Sequence, residues 1–103
     1  MRSFAAFVLS GLLSTAPALA ADPDSGRALA QRWCSSCHMV EPTQAAASAI
    51  GVPTFAGVAR MPSTTESSLR VFLQTPHDRM PDLHLSNQEM ADVIAYILSL
   101  KAL

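Results

Sequence analysis

The sequence of 103 residues is poor in the groups that most small metal or redox sites are built from. It holds only two cysteines, with no second C-x-x-C and no paired histidines, so the four ligands of a structural zinc site cannot be assembled. No stretch reads as a convincing β-strand, which removes the βαβ setting that a thioredoxin-like C-x-x-C would need. Cations are few. Past Arg2 they are Arg27, Arg32, Arg60, Arg70, Arg79 and a single lysine, Lys101, with no basic stripe, so the chain is not read as a nucleic-acid binder. The apolar N-terminal stretch is interrupted by Ser10, Gly11 and Pro17, short of the roughly twenty residues that span a bilayer.

What is present is concentrated in one five-residue word. Both cysteines and an adjacent histidine lie in Cys34-Ser35-Ser36-Cys37-His38, the C-x-x-C-H order for covalent attachment of a c-type haem. Two thiols three positions apart on a helical turn can add to the two vinyl groups of one porphyrin. The next residue then lies under the ring, where its imidazole can bind iron as the proximal ligand. A plain local disulfide would leave His38 without a role. The expected cofactor is one covalent haem c on Cys34 and Cys37, with His38 on the iron.

The first twenty residues have the build of a secretory signal peptide. Arg2 gives a short positive region, Phe4 to Leu13 a compact apolar one, and Ala18-Leu19-Ala20 the small-x-small pattern that places cleavage after Ala20. The sequence thus divides into a signal at 1–20 and a haem domain at 21–103. Attachment of this kind of haem takes place outside the cytoplasm, so export to the periplasm and the haem motif support each other. After cleavage no membrane span remains, and loss of Arg2 moves the net charge from −1 to about −2. A domain so short buries only about two thirds of its unfolded surface or less. Small scaffolds need a staple, and with both cysteines committed the haem is the one available; the apoprotein is expected to fold poorly.

The mature chain reads as all-α, three to four helices around one haem. Asp22-Pro23-Asp24 opens the first helix, with Asp as N-cap, Pro at the first helical position and acid near the positive end of the dipole. Leu29 and Trp33, at i and i+4, are expected to share its buried face. Gly26 either precedes the true start of that helix or marks close contact with another one, since glycine in a helix interior costs about 1 kcal/mol. From Met39 to Val58 periodicity fades. Pro42, Gly51 and Pro53 punctuate a segment read as a loop along one haem edge, with a short helical turn possible at Gln44 to Ala49. Ser63-Thr64-Thr65-Glu66 is read as a capping box with serine at N-cap, opening a helix through Leu69, Phe72 and Leu73 to about Thr75, where Pro76 stops it. Ser86-Asn87-Gln88-Glu89 is a second box. Met90, Val93, Ile94, Ile97 and Leu98 then mark the cleanest amphipathic stripe of the chain.

An iron held by one histidine leaves a sixth position, and its occupant decides between moving electrons and binding small molecules. Met39 adjoins the proximal ligand and cannot reach the far face of the ring. Met90 lies on the last helix's apolar stripe, where methionine serves as filler. Met61, Met80, His77 and His84 remain. Met61-Pro62 is accounted for by entry into the next helix. Met80-Pro81 sits in the loop Pro76 to Leu85, stiffened by two prolines, which suits a weak thioether ligand. Met80 is therefore the favoured distal ligand, with His77 and then Met61 behind it.

Gly26-x-x-Leu29-Ala30 before Cys34-x-x-Cys37-His38, then Pro53-x-Phe55, then Leu69-x-x-Phe72-Leu73-x-x-Pro76-His77-x-x-Met80-Pro81, then Ile94-x-Tyr96-Ile97, resembles class I cytochrome c, small monohaem bacterial members included. The resemblance covers essentially all of 21–103. It implies a fold in which the first and last helices cross beside the haem, with Gly26 at the crossing and facing the Tyr96 region. It further implies that the Pro53 carbonyl accepts the His38 Nδ1 proton, which would fix the imidazole. The lysine-rich face of mitochondrial cytochrome c is absent.

Three functions follow from these expectations. The first is a periplasmic one-electron carrier with His/Met-ligated haem, not an enzyme, a monomer that meets redox partner proteins transiently at the exposed haem edge. The second is a haem subunit held in a periplasmic dehydrogenase or oxidase complex. The third, a haem sensor or peroxidase with an open sixth position, is disfavoured by the placement of Met80.

Overall fold

Asp22 caps the first helix as the sequence predicts. Its carboxylate accepts the Asp24 backbone N–H at 3.0 Å, Pro23 follows at the first helical position, and helix α1 runs Pro23–Trp33. The protein was analysed as a computed structural model, which describes residues 11, 12, 14, 20–44, 48–76 and 78–102. Three further helices follow, α2 (Phe55–Arg60), α3 (Glu66–Gln74) and α4 (Asn87–Ser99), and a short 3₁₀ turn closes the chain at Leu100–Ala102. The fold is all-α: no strand occurs among the described residues. None of these helices is long and apolar enough to cross a membrane. The proposed signal peptide falls almost entirely outside the described residues, as do His77 and the centre of the Gln44–Ala49 segment.

Helix α4 is the axis of the core. Met90, Val93, Ile94 and Ile97 are buried along it, as the sequence stripe requires, and Leu98 packs partly buried at its edge. Its N-terminus carries the expected box: Ser86 Oγ accepts the Glu89 N–H at 3.1 Å while Glu89 accepts the Ser86 N–H at 2.8 Å. All three other helices pack on α4, and α1 does so most extensively.

The α1–α4 contact corrects the expected helix face. The residues of α1 that turn inward are Gly26 and Ala30, with Leu29 beside them, whereas Trp33 is 54% exposed. The reason is steric. A Cβ on Gly26 would lie 1.9 Å from the Asp92 carbonyl oxygen and 2.4 Å from its carbon, so the two backbones touch where only glycine fits. Gly26 is thus inside the helix and faces Asp92 and Val93, one turn before the Tyr96 region implied by the resemblance. The same junction is tied by the buried Asp92, whose Oδ1 accepts the Asp22 N–H and the Gln88 Nε2, both at 2.8 Å. Gly26→Ala is expected to cost about 1–3 kcal/mol or more, because backbone rather than a flexible side chain must move. Thermal melting of the haem-loaded protein checks it, and an unchanged midpoint would mean the helices can separate at no cost.

Two other expectations need correction. The segment Met39–Val58, read as loop, contains the start of α2; Thr54 caps it by accepting the Gly57 N–H at 2.9 Å, and Phe55 and Ala59 are buried. Six residues are too few to display a helical period. The box opening α3 is also shifted: Thr65 is the N-cap and pairs with Ser68, not Ser63 with Glu66. Thr64 is held in the preceding turn, its N–H on the Met61 carbonyl at 3.0 Å and its hydroxyl on the Val58 carbonyl at 2.6 Å, so the helix cannot begin earlier.

Candidate functional site

The word Cys34–His38 continues the last turn of α1. Cys34 is the C-cap, its N–H on the Ala30 carbonyl, and the N–H groups of Cys37 and His38 return to the Cys34 carbonyl at 3.2 and 2.9 Å. Both thiols and the imidazole therefore project from one tight turn, and all three line a single cleft. Its volume is about 490 Å³, in the range of small-molecule and cofactor sites. Before haem is attached, burial pushes the free Cys34 thiol up to about 11.

The imidazole is fixed on its outer side. His38 Nδ1 lies 2.7 Å from the Pro53 carbonyl oxygen; a carbonyl only accepts, so Nδ1 is the donor and Nε2 is the nitrogen not engaged by this bond. The Phe55 ring packs against the imidazole at 5.4 Å between centroids. Pro53 and Phe55 are positioned by the chain's return to the haem turn, where the Phe55 N–H bonds the Met39 carbonyl at 3.0 Å and the Ala49 N–H bonds the Cys37 carbonyl at 2.9 Å. Helix α3 and the loop after it contribute Phe72, Arg79, Met80, Pro81 and Leu83 to the same cleft. Trp33 lines it too, which accounts for its place outside the core.

The structure thus gathers Cys34, Cys37, His38, Pro53 and Met80 around one cleft. It does not bring in Met61, which caps the end of α2 and is 46% exposed, nor Met90, which is buried in the core. His84 points to solvent beside Asp82, with 87% of its side chain exposed. Contributors that sequence reasoning missed are Trp33, Val52 and Arg79. None belongs to a motif, and only proximity in the fold reveals them.

The donor set suits haem. Two thiols, an imidazole and a thioether line one cleft, together with apolar groups such as Val52, Pro53, Phe72 and Leu83. No cluster of three or more His, Cys, Asp or Glu capable of holding a bare metal ion occurs among the described residues. A helical bundle whose first helix ends in a C-x-x-C-H turn facing an apolar cleft defines a c-type cytochrome.

The comparisons with known proteins agree. Residues 21–97 match the family described as cytochrome c oxidase, cbb3-type, subunit III, and the chain belongs to this family of c-type cytochromes. It is 50% identical over 94 residues to cytochrome c-552 of Bradyrhizobium diazoefficiens, an alignment covering 91% of this chain and 89% of that protein. No solved structure gives a significant match. The protein is a small c-type cytochrome that carries electrons, and its cofactor is covalently attached haem c.

Proposed function

We propose that the protein is a periplasmic carrier of single electrons, not an enzyme, with haem bound through Cys34 and Cys37 and iron held by His38 and Met80. The observation that carries this reading is the cleft itself: Cys34, Cys37, His38 and Met80 all line it. When bound, the haem supplies an iron that takes up and releases one electron. His38 would hold the iron through Nε2, with its ring fixed by the Pro53 carbonyl and the Phe55 face. Met80, on a loop between Pro76 and Pro81, would be the second protein ligand, and with two protein ligands no substrate would need to bind. Thioether ligation favours the reduced iron and raises the potential. Redox partner proteins would meet the carrier at the cleft mouth through a small, transient interface. Export is supported by the composition of residues 1–20 and by a family match that begins at residue 21.

The test is mass spectrometry of protein matured in a host that assembles c-type cytochromes. Residues 21–103 plus one haem, resistant to acid-acetone extraction, are expected. A haem-free chain with a Cys34–Cys37 disulfide would overturn the assignment.

A second reading has one observation in its favour. The matched family is described as an oxidase subunit, which suits a haem subunit held in a larger complex. Sizing the native protein from its own periplasm separates the two: a carrier elutes at its own mass of 10.9 kDa or less, a subunit with its complex.

A further inference from the structure

Residues 38–41, which follow the haem turn, are held by more elements than any ligand needs for itself. The Met39 carbonyl accepts the Phe55 N–H at 3.0 Å. The Val40 carbonyl accepts the Tyr96 hydroxyl of α4 at 2.6 Å, in a buried position, and the Val40 N–H reaches Gln44 Oε1 at 2.9 Å. The Glu41 carboxylate, its side chain 19% exposed, takes Arg27 Nε at 2.6 Å and Gln31 Nε2 at 2.7 Å, both from α1. These contacts hold Glu41 well below the usual carboxylate range, through the Arg27 hydrogen bond first, and they raise the Arg27 guanidinium correspondingly.

The topology of these contacts matters more than their strength. Arg27 and Gln31 lie one turn apart on α1, and Cys34 caps the same helix. Glu41 lies just beyond His38. The Arg27–Glu41 pair therefore closes a non-covalent ring around Cys34, Cys37 and His38, fixing the haem turn from both of its ends. An exposed ion pair of this kind adds little to stability. Its consequence is geometric: Glu41 lies three residues beyond His38, and the pair ties that segment to α1.

We propose that Arg27, Gln31 and Glu41 form a clamp that positions His38, setting the orientation of its ring toward the iron. The proposal rests on His38 being the proximal ligand. None of the three clamp residues lines the cleft, so all act through the haem turn as positioning residues.

The test uses the haem-loaded protein and reads ring orientation directly, through the spread of haem-methyl shifts in the oxidised NMR spectrum and the anisotropy of the ferric EPR signal. Glu41→Gln and Arg27→Gln are both expected to change these spectra, and the double variant to change them no further than either alone, since all three break one device. Arg27→Lys keeps the charge and should change them less. Gln31→Ala removes one donor and leaves the ion pair; a smaller change of the same kind is expected, and it keeps the test available if Glu41→Gln fails to mature. Arg70→Gln, which breaks the exposed Glu66–Arg70 pair on α3, should leave both spectra at wild type. Wild-type spectra in Glu41→Gln and Arg27→Gln with only a lowered melting temperature would overturn the proposal, as would additive changes in the double variant. A separate failure is recognisable: if His38→Ala keeps the wild-type spectra, the ligand assignment falls rather than the clamp.

Discussion

Met80→Ala is expected to abolish the weak charge-transfer band near the red end of the oxidised spectrum, which reports methionine sulfur on ferric haem. Met61→Ala and His77→Ala should retain it. The distinction is positional. Met80 lines the cleft that holds Cys34, Cys37 and His38, whereas Met61 sits half exposed at the end of α2. Because a thioether stabilises reduced iron, its loss should lower the potential by at least a factor of ten in the electron equilibrium, about 59 mV for one electron. The opened position should also bind carbon monoxide or cyanide and raise peroxidase activity. If Met61→Ala removes the band and Met80→Ala does not, the distal ligand is misassigned. A wild type that already binds carbon monoxide readily would favour a sensor over a carrier.

Cys34→Ala with Cys37→Ala is expected to remove the cooperative fold. A core of this size supplies no more than roughly 3–5 kcal/mol, and small domains depend on a staple for the remainder. Inspection of the core shows why. The buried cluster runs along α4 and reaches Val40, Phe55 and Leu69, but Trp33 and Phe72 are each at least half exposed and both line the cleft. A haem seated in that cleft would cover them. Circular dichroism should show a broad, shallow thermal transition, and Trp33 fluorescence should be bright where the haem-loaded protein is strongly quenched. A sharp transition with native-like helix content in the haem-free variant would show that the four helices suffice alone.

Several elements could be read without coordinates because their signals are local. The Asp22-Pro23 start of α1 and the Ser86–Glu89 box are decided by hydrogen bonds spanning three residues, and the stripe of α4 by a period sustained over three turns. The haem motif is more local still. Where reading failed, a distant residue intervened. Helix α2 is too short for a period to show, and its cap is recognised only once Phe55 is seen buried and bonded to Met39. The α3 box moved because Thr64 is spent on the Val58 carbonyl of the preceding turn. Trp33 was assigned to the core on spacing alone, yet α1 is rotated so that Gly26 and Ala30 meet α4, since small residues there allow the backbones to touch.

By itself, the sequence determined the chemistry: two thiols and an imidazole at fixed spacing, an all-α chain, and a short list of distal ligands. Those properties follow from residue types and from separations of a few positions. The tertiary structure decided which candidates share a cleft, that the Pro53 carbonyl accepts a hydrogen bond from His38 Nδ1, and that Arg27 and Gln31 reach Glu41 behind the haem turn. Those pairings join residues ten or more positions apart, beyond the reach of any local pattern, just as the approach of α1 to α4 shows only in the contact of Gly26 with the Asp92 backbone.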